Sequence, residues 1–319
     1  MINNSWYDCF IEALYKKCPQ KSQLTEALTD LLLIERESVY RRLRKNVMFS
    51  SEELVKIASA WDISLDEIIK NDAKKISFKI QLLNYIDPSD EELKDMQILI
   101  ENLHYLKIFP DVEYMEVSNV LPCAFVSGFS CLIRYHLLKW RYQYANEETL
   151  PFSQIFPPQK LSEFSLDYHT AIKNLANTSF IWDQMLFNSL VHDIHYFCSI
   201  YLITNEEKEL IKKDLYFLLN YMSEMAAKGC WPETGNKVNL YISHINIDTN
   251  YSYYYSEALK VCRVHAFAKN EIYTNDPIMI ENFRNWMQFK KRSSVLISEA
   301  DEKSRIGFLM KQRGLIDTL

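Results

Sequence analysis

Glycine occurs only five times among the 319 residues of this chain, and this scarcity strongly constrains what the chain can fold into. Folds built only from strands need turn residues about every eight to twelve positions. Glycine adopts tight turns most easily, because it has no Cβ. We therefore expect long helices joined by short links, in a mainly α fold. The length allows two or three domains with hydrophobic cores of their own.

A basic helix is predicted near the amino terminus, from residue 35 to residue 46. Val39 and Leu43 lie four residues apart, so they share a helix face and can pack into a small core. At about 100° per residue, Glu37, Arg41 and Arg44 fall on the opposite face. That outward face is mainly cationic. An isolated basic run is also typical of an ordinary solvated helix, so the interpretation of this helix depends on the segments that flank it.

The flanking segments predict further short helices around the basic one. Ser50 can cap a helix whose apolar positions include Leu54 and Ile57, and acidic residues in its first turn favour that start. Residues 6–14 offer an apolar stripe for a first helix, and residues 64–69 form another amphipathic turn. This order of short helices around a cationic one is the pattern of a helix-turn-helix DNA reader.

The segment resembles the lambda-repressor-like (XRE/Cro-type) helix-turn-helix domain in register as well as in composition. Leu28 and Thr29 match the family's Leu-Ala pair, and Ile34 matches the apolar residue that closes the turn. Val39 matches the buried aliphatic residue of the recognition helix, and residues 63–66 match the usual end of the domain. The resemblance implies a five-helix domain that binds DNA. It also implies that Thr25 contacts a phosphate beside the first base contact.

The chain also resembles a group of uncharacterised Bacteroidetes transcriptional regulators with a large C-terminal domain. The shared segment is residues 38–44, followed by Phe49 and Glu53. Two positions depart from the family pattern. Leu33 stands where the family usually has a turn glycine, and Asn46 replaces the glycine after the recognition helix. Leucine is strained at a positive φ, whereas asparagine tolerates it.

Position along the basic helix separates two roles for its side chains. Residues in the first turns approach base edges, and residues near the end lie closer to backbone phosphates. A guanidinium group suits either task, since it can donate two parallel hydrogen bonds to guanine or to a phosphate. The expected base contacts are Arg36, Glu37, Ser38 and Arg41, the expected phosphate contacts are Arg44 and Lys45, and Tyr40 flanks both sets.

The predicted domains are residues 1–72 for the helix-turn-helix part, 73–228 for a helical linker with a dimerisation or sensor role, and 229–319 for a C-terminal α+β region. Residues 74–86 are expected to form a connecting helix. The apolar and polar residues alternate around 238–242, 251–255 and 261–267, which predicts a small antiparallel sheet of three consecutive strands. Helices are expected to follow this sheet.

Two candidate sites outside the basic helix are weaker. The aromatic residues Trp231, Tyr251, Tyr253 and Tyr255 indicate either a pocket for an apolar or planar effector or simply a sheet core. His192 and His195 share a helix face and could begin a metal site, but packed helical histidines are more common and no further ligands are identifiable. No metal, cofactor or catalytic residue is predicted.

Charge and cysteine usage limit the remaining function classes. The seven cysteines are odd in number and never stand at CxxC spacing, which indicates reduced thiols in a cytoplasm. No apolar run approaches a membrane span, and no signal peptide is expected. A net charge of −6 predicts modest, salt-dependent DNA binding.

We therefore expect a non-enzymatic, cytoplasmic transcriptional regulator that binds double-stranded DNA as a homodimer, with a C-terminal region that either dimerises or senses a small-molecule or peptide effector. The open alternatives are a protein-interaction module on the same scaffold and an enzyme with an appended helix-turn-helix domain.

Overall fold

A computed structural model describes residues 6–65, 68, 76–144, 149–267 and 270–319. The chain divides into two compact units, Met1–Ser77 and Phe78–Leu319. Among the described helices, none has the length and apolar character needed to cross a membrane.

In the described part of the first unit, four short helices surround one apolar cluster. They are α1 (Trp6–Lys17), α2 (Lys21–Leu32), α3 (Arg36–Leu43) and α4 (Ser51–Ala60). The cluster is formed by Phe10, Leu14, Leu24, Leu28 and Val39, all fully buried, together with their neighbours. The predicted fifth helix falls largely outside the described residues.

Left-handed backbone occurs at one of the two departures from the family pattern and next to the other. Leu33 ends α2 with φ 54° and ψ 44°, the left-handed conformation expected of the turn glycine that it replaces. After α3 the left-handed residue is Lys45 (φ 65°) rather than Asn46. Helix α4 begins with a capping box in which Ser50 and Glu53 bond each other's backbone N–H, as the sequence predicted for Ser50.

The second unit is organised by a mixed sheet of eight described strands. The strands are β1 (Lys79–Gln81), β2 (Glu113–Ser118), β3 (Asn177–Trp182), β4 (Lys237–Ser243), β5 (Tyr251–Tyr255), β6 (Lys260–Phe267), β7 (Asn270–Thr274) and β8 (Ser294–Leu296). Their order across the sheet is β1-β7-β6-β5-β2-β3-β4-β8. Strands β2, β3 and β4 are parallel, and the remaining pairings are antiparallel.

Helices cover both faces of this sheet. They are α5 (Asp90–Leu106), α6 (Cys123–Val126), α7 (Ser130–Tyr144), α8 (Gln159–Lys173), α9 (Asn188–Ser199), α10 (Asn205–Lys228), α11 (Pro277–Arg292) and α12 (Glu302–Asp317). Helix α11 packs through Ile280, Phe283 and Met287 on one face, against Met115 and Val117 of β2. Residues of the other seven helices belong to a larger apolar cluster on the opposite face.

The predicted mainly α fold with a small antiparallel sheet is wrong. Strands β2 and β3 lie inside the segment expected to be helical, and β1 occupies part of the expected connecting helix at 74–86. The three predicted strands exist, but β4 pairs with β3 and β8, not with β5, so they do not form a meander. Few glycines do not exclude this sheet, because parallel strands are joined by crossover helices and not by tight turns.

Candidate functional site

Helix α3 presents charged residues outward and aliphatic residues inward, as its sequence predicted. Val39 is fully buried and Leu43 is 5% exposed. Arg36, Glu37, Arg41 and Arg44 are exposed, whereas Ser38 and Tyr40 are half-buried. The Arg44 guanidinium lies 5.9 Å from the centroid of the Tyr40 ring, one turn earlier. Three arginines thus lie on the solvent side of a helix held by its apolar side.

Arg42, in the middle of the basic run, has a different role from its neighbours. Its Nε and Nη2 donate to the Glu53 carboxylate at 3.0 and 2.9 Å, and its Nη1 donates to the Ser38 carbonyl at 3.2 Å. Both side chains of the pair are less than a fifth exposed. Burial raises the pKa of Glu53, but hydrogen bonds from Arg42 and Ser50 outweigh burial and leave that pKa below its ordinary value. The pair fixes α3 to the start of α4.

Two other predicted DNA contacts already have partners within the protein. The Lys45 ammonium forms an ion pair with the Asp8 carboxylate of α1. Thr25 is fully buried, and its hydroxyl donates to the Lys21 carbonyl at 2.8 Å. A buried hydroxyl bonded within its own helix does not face a phosphate in this conformation.

The four aromatic residues of the predicted effector pocket are not brought together. Trp231 belongs to the larger cluster, is fully buried, and donates its indole N–H to the Thr178 hydroxyl at 3.0 Å. Tyr251, Tyr253 and Tyr255 belong to the cluster on the α11 face of the sheet. Trp231 and Tyr253 therefore serve as core residues on opposite faces.

A cavity lies on the sheet face opposite α11, and its lining includes Tyr251 but not the other three aromatic residues of the predicted pocket. Its floor is a row of side chains across three strands: Glu116 of β2 pairs with Ser252 of β5, which pairs with Arg263 of β6. Directly opposed residues of neighbouring strands point to the same face. Residues of α7 and Tyr168 of α8 complete the walls, and the cavity volume is about 320 Å³. This lies within the roughly 300–1,000 Å³ typical of ligand sites.

A second, more apolar chamber of about 220 Å³ adjoins the first. The two chambers share Cys123, His136, Trp140, Tyr168, Arg263 and Glu271 as wall residues. The remaining walls of the second chamber are mostly aliphatic and come from α5, α7 and α8, including Leu99, Ile133, Leu137, Leu161 and Phe164. The polar and the apolar chamber are therefore neighbours that share a wall, and together they are called the two-chambered cavity here.

Charges around the two-chambered cavity are largely matched. Arg263 Nη1 lies 2.5 Å from a Glu271 carboxylate oxygen, and Lys139 Nζ lies 2.5 Å from an Asp193 carboxylate oxygen. Burial lowers the pKa of Arg263 and is the largest single effect, but the charges of Glu271 and Tyr254 and the hydrogen bond to Glu271 together outweigh burial and leave that pKa raised. The Tyr114 hydroxyl donates to the Glu116 carboxylate at 2.8 Å. Burial, followed by the charge of Glu116, raises the pKa of Tyr114, so this phenol stays protonated.

Arg263, in the shared wall, has a polar atom that is not paired within the described part of the chain. Arg263 is 9% exposed, and its Nε is buried without a hydrogen-bond partner among the described residues. The guanidinium lies 5.4 Å from the Tyr273 ring centroid and 6.0 Å from that of Tyr254. The sequence contained one signal for this site. Arg263 stands at an inward position of the alternating β6 segment, where an apolar residue is normally found.

The chain matches no protein-family model, no curated protein and no solved structure.

Proposed function

We propose that the protein is a cytoplasmic, sequence-specific DNA-binding regulator that contacts its operator through α3. The observation that carries the proposal is the outward face of α3, where Arg36, Arg41 and Arg44 are exposed while Val39 and Leu43 are buried. A helix of this kind can enter the major groove, with its first turns at base edges. The resemblance of the first seventy residues to lambda-repressor-like domains points the same way.

The roles follow from position on α3 and from existing contacts. Arg36 and Arg41 are assigned to bases, and Arg44 near the helix end is assigned to a phosphate. Lys45 is assigned a minor phosphate contact, because its ammonium is already paired with Asp8. Arg42 is assigned no DNA contact, because Glu53 holds its guanidinium.

The negative net charge of the chain does not oppose this proposal at close range. Charges separated by more than about 8 Å are largely screened at physiological salt. Binding as a homodimer is also proposed, because one such unit covers few base pairs. A two-fold pair would contact half-sites about 34 Å apart, which predicts a palindromic operator.

Selection of bound fragments from random double-stranded DNA by the full chain tests the proposal. The fragment recovered is then titrated with Arg41→Ala, Arg44→Ala and a matched charge removal at Arg313→Ala, an exposed arginine of α12 in the second unit. We expect Arg41→Ala to weaken binding by about 1–3 kcal/mol and to relax sequence preference.

The Arg44→Ala variant should weaken binding evenly across sequences. It should also lower the slope of log affinity against log salt by about 0.9. Arg313→Ala should leave both affinity and slope unchanged. Equal binding by the Arg41→Ala variant and the unmodified chain would refute the assignment, and a complete absence of retained DNA would favour a protein-interaction role.

A further inference from the structure

We propose that the two-chambered cavity of the second unit binds a neutral amphipathic small molecule, with an apolar chain in one chamber and an amide-like head at Arg263. This binding site is separate from α3 and does not depend on the DNA-binding proposal. The inference rests on the sheet register, on the unsatisfied donor of Arg263, and on the charge balance of the cavity walls.

The sheet register explains why a polar space exists at this point. Glu116, Ser252 and Arg263 lie side by side on β2, β5 and β6 and point to one face. Neighbouring strands are about 4.8 Å apart, so the backbones carrying Glu116 and Arg263 are roughly 10 Å apart. Serine is the short residue between two long ones. The gap above Ser252 is therefore bounded by an acceptor on one side and a donor on the other.

Arg263 supplies the directional contact for a ligand. Its Nη1 is engaged by Glu271, whereas its buried Nε lacks a hydrogen-bond partner among the described residues. A buried donor without an acceptor is unfavourable, and a ligand carbonyl oxygen would satisfy it. Arg263 belongs to the walls of both chambers, so a group bound there stands where the polar and the apolar chamber meet.

The charge balance selects a neutral head group. Glu271 already neutralises Arg263, and Asp193 neutralises Lys139. A ligand carboxylate would lie near Glu116 and Glu271, and a ligand ammonium would lie near Arg263. A carboxylate would be desolvated beside like charges, and an ammonium would be desolvated between Arg263, a like charge, and Glu116, an opposite one, so neither gains the full attraction of a counter-ion. A primary amide avoids both costs, because its carbonyl accepts from Arg263 and its NH₂ donates toward Glu116.

The second chamber fits an apolar chain. Its walls include Leu99, Ile133, Leu137, Leu161 and Phe164, which provide contact but no charge. Burial of each CH₂ group of a ligand there contributes favourably to the binding free energy. An unbranched chain of moderate length extending from an amide at Arg263 therefore uses both chambers.

Three probes that differ only in the head group test the inference. Calorimetric titration of the full chain at pH 7.5 with octanamide, octanoate and octylammonium compares neutral, anionic and cationic heads on one chain. We expect octanamide to bind at least about tenfold more tightly than either charged probe, because a charge buried without a partner costs more than a buried amide. Tightest binding by octanoate or octylammonium would overturn the assignment of the head group.

Substitutions in the cavity walls locate the binding site. Ile133→Trp adds bulk to the apolar chamber, and Leu166→Trp makes a matched change on the exposed side of α8, where Leu166 is 55% exposed. Octanamide binding should be lost in the first variant and retained in the second. Binding retained by Ile133→Trp, or no octanamide binding by the unmodified chain, would overturn the proposal.

A third variant separates hydrogen bonding from folding. The double substitution Arg263→Gln with Glu271→Gln removes both charges together, so neither is left buried alone. We expect this variant to show the same circular dichroism as the unmodified chain and to bind octanamide at least about tenfold more weakly, because the guanidinium donor is missing. Unchanged octanamide affinity in this folded variant would overturn the role of Arg263.

Discussion

Arg41 and Arg42 are adjacent in sequence, but their replacement by alanine should have different consequences. The Arg42 guanidinium makes two charge-assisted hydrogen bonds to Glu53, and both side chains are less than a fifth exposed. Hydrogen bonds to charged groups contribute roughly 1.5–3 kcal/mol. We therefore expect Arg42→Ala to destabilise α3 and α4 by about 2 kcal/mol. Arg41 is exposed, so Arg41→Ala should change their stability by less than about 0.5 kcal/mol.

Hydrogen exchange read by mass spectrometry on peptides from residues 36–60 measures this difference within the full chain. A loss of about 2 kcal/mol corresponds to roughly 30-fold faster amide exchange where exchange reports the opening free energy. A double-mutant cycle with Glu53→Gln isolates the pair, because Arg42→Ala should cost less once the carboxylate is gone. Equal exchange rates in the Arg41→Ala and Arg42→Ala variants would refute the reasoning.

The pH dependence of stability gives an independent measurement of what the Arg42–Glu53 pair contributes. The pKa of Glu53 is lower in the folded chain than its ordinary value of 4.5. The unfolded chain therefore binds the proton first as the pH falls, so the stabilisation is present above about pH 4.5 and is lost through the folded pKa. Glu53→Gln should remove that part of the acid sensitivity of α3 and α4 in the exchange experiment.

Three further substitutions test the packing and backbone arguments. Leu33→Gly should raise the free energy of unfolding by roughly 0.5–1 kcal/mol in denaturant titration, because Leu33 is 89% exposed and has a left-handed backbone; a loss would contradict this. Trp231→Phe should lower the free energy of unfolding by about 1–3 kcal/mol in the same titration, since the Thr178 hydroxyl loses its donor and a void remains. An unchanged free energy would argue against a core role for Trp231. Burial first, and then the charge of Lys173, lowers the pKa of His169 in the folded chain. The unfolded chain therefore takes up the proton first as the pH falls below about 6.5, and the free energy of unfolding decreases there. His169→Gln should reduce the difference in unfolding free energy between pH 7.5 and pH 5.5, and an equal difference in both proteins would exclude that role.

The first unit was accessible from sequence because its signals are local. Each signal acts on residues a few positions away: Ser50 caps the helix that it precedes, Val39 and Leu43 share one helix face, and Leu33 ends the helix before it. Helix periodicity and capping depend only on such short separations. The sequence did not reveal that Arg42 has a different role from Arg41 and Arg44, because the partner of Arg42 lies eleven residues away on another helix.

Strands β2 and β3 of the second unit were missed because they lack the alternation that identifies strands. Five of the six residues of β3 are buried, on both faces, and its three polar residues precede its three apolar ones instead of alternating with them. Parallel strands covered on both faces have this property, and a short apolar run between helices resembles helix equally well. The pairing of β2 with β5 joins residues more than 130 positions apart, as Asn119 and Asn250 at its end illustrate. No local pattern specifies such a pairing.

The same register argument separates the cavity from the packed part of the sheet face. Where large aromatic residues such as Phe180, Trp182 and Tyr254 stand on the strands, the face is filled and dry. Ser252 stands on β5 two positions from Tyr254, with Glu116 and Arg263 beside it, and there the face is hollow and polar. Apolar residues in this row would close the gap and remove the cost of a buried guanidinium. Because local departures from good packing concentrate where a protein binds something, this row, more than any other on the sheet, is where a ligand of the second unit should be sought.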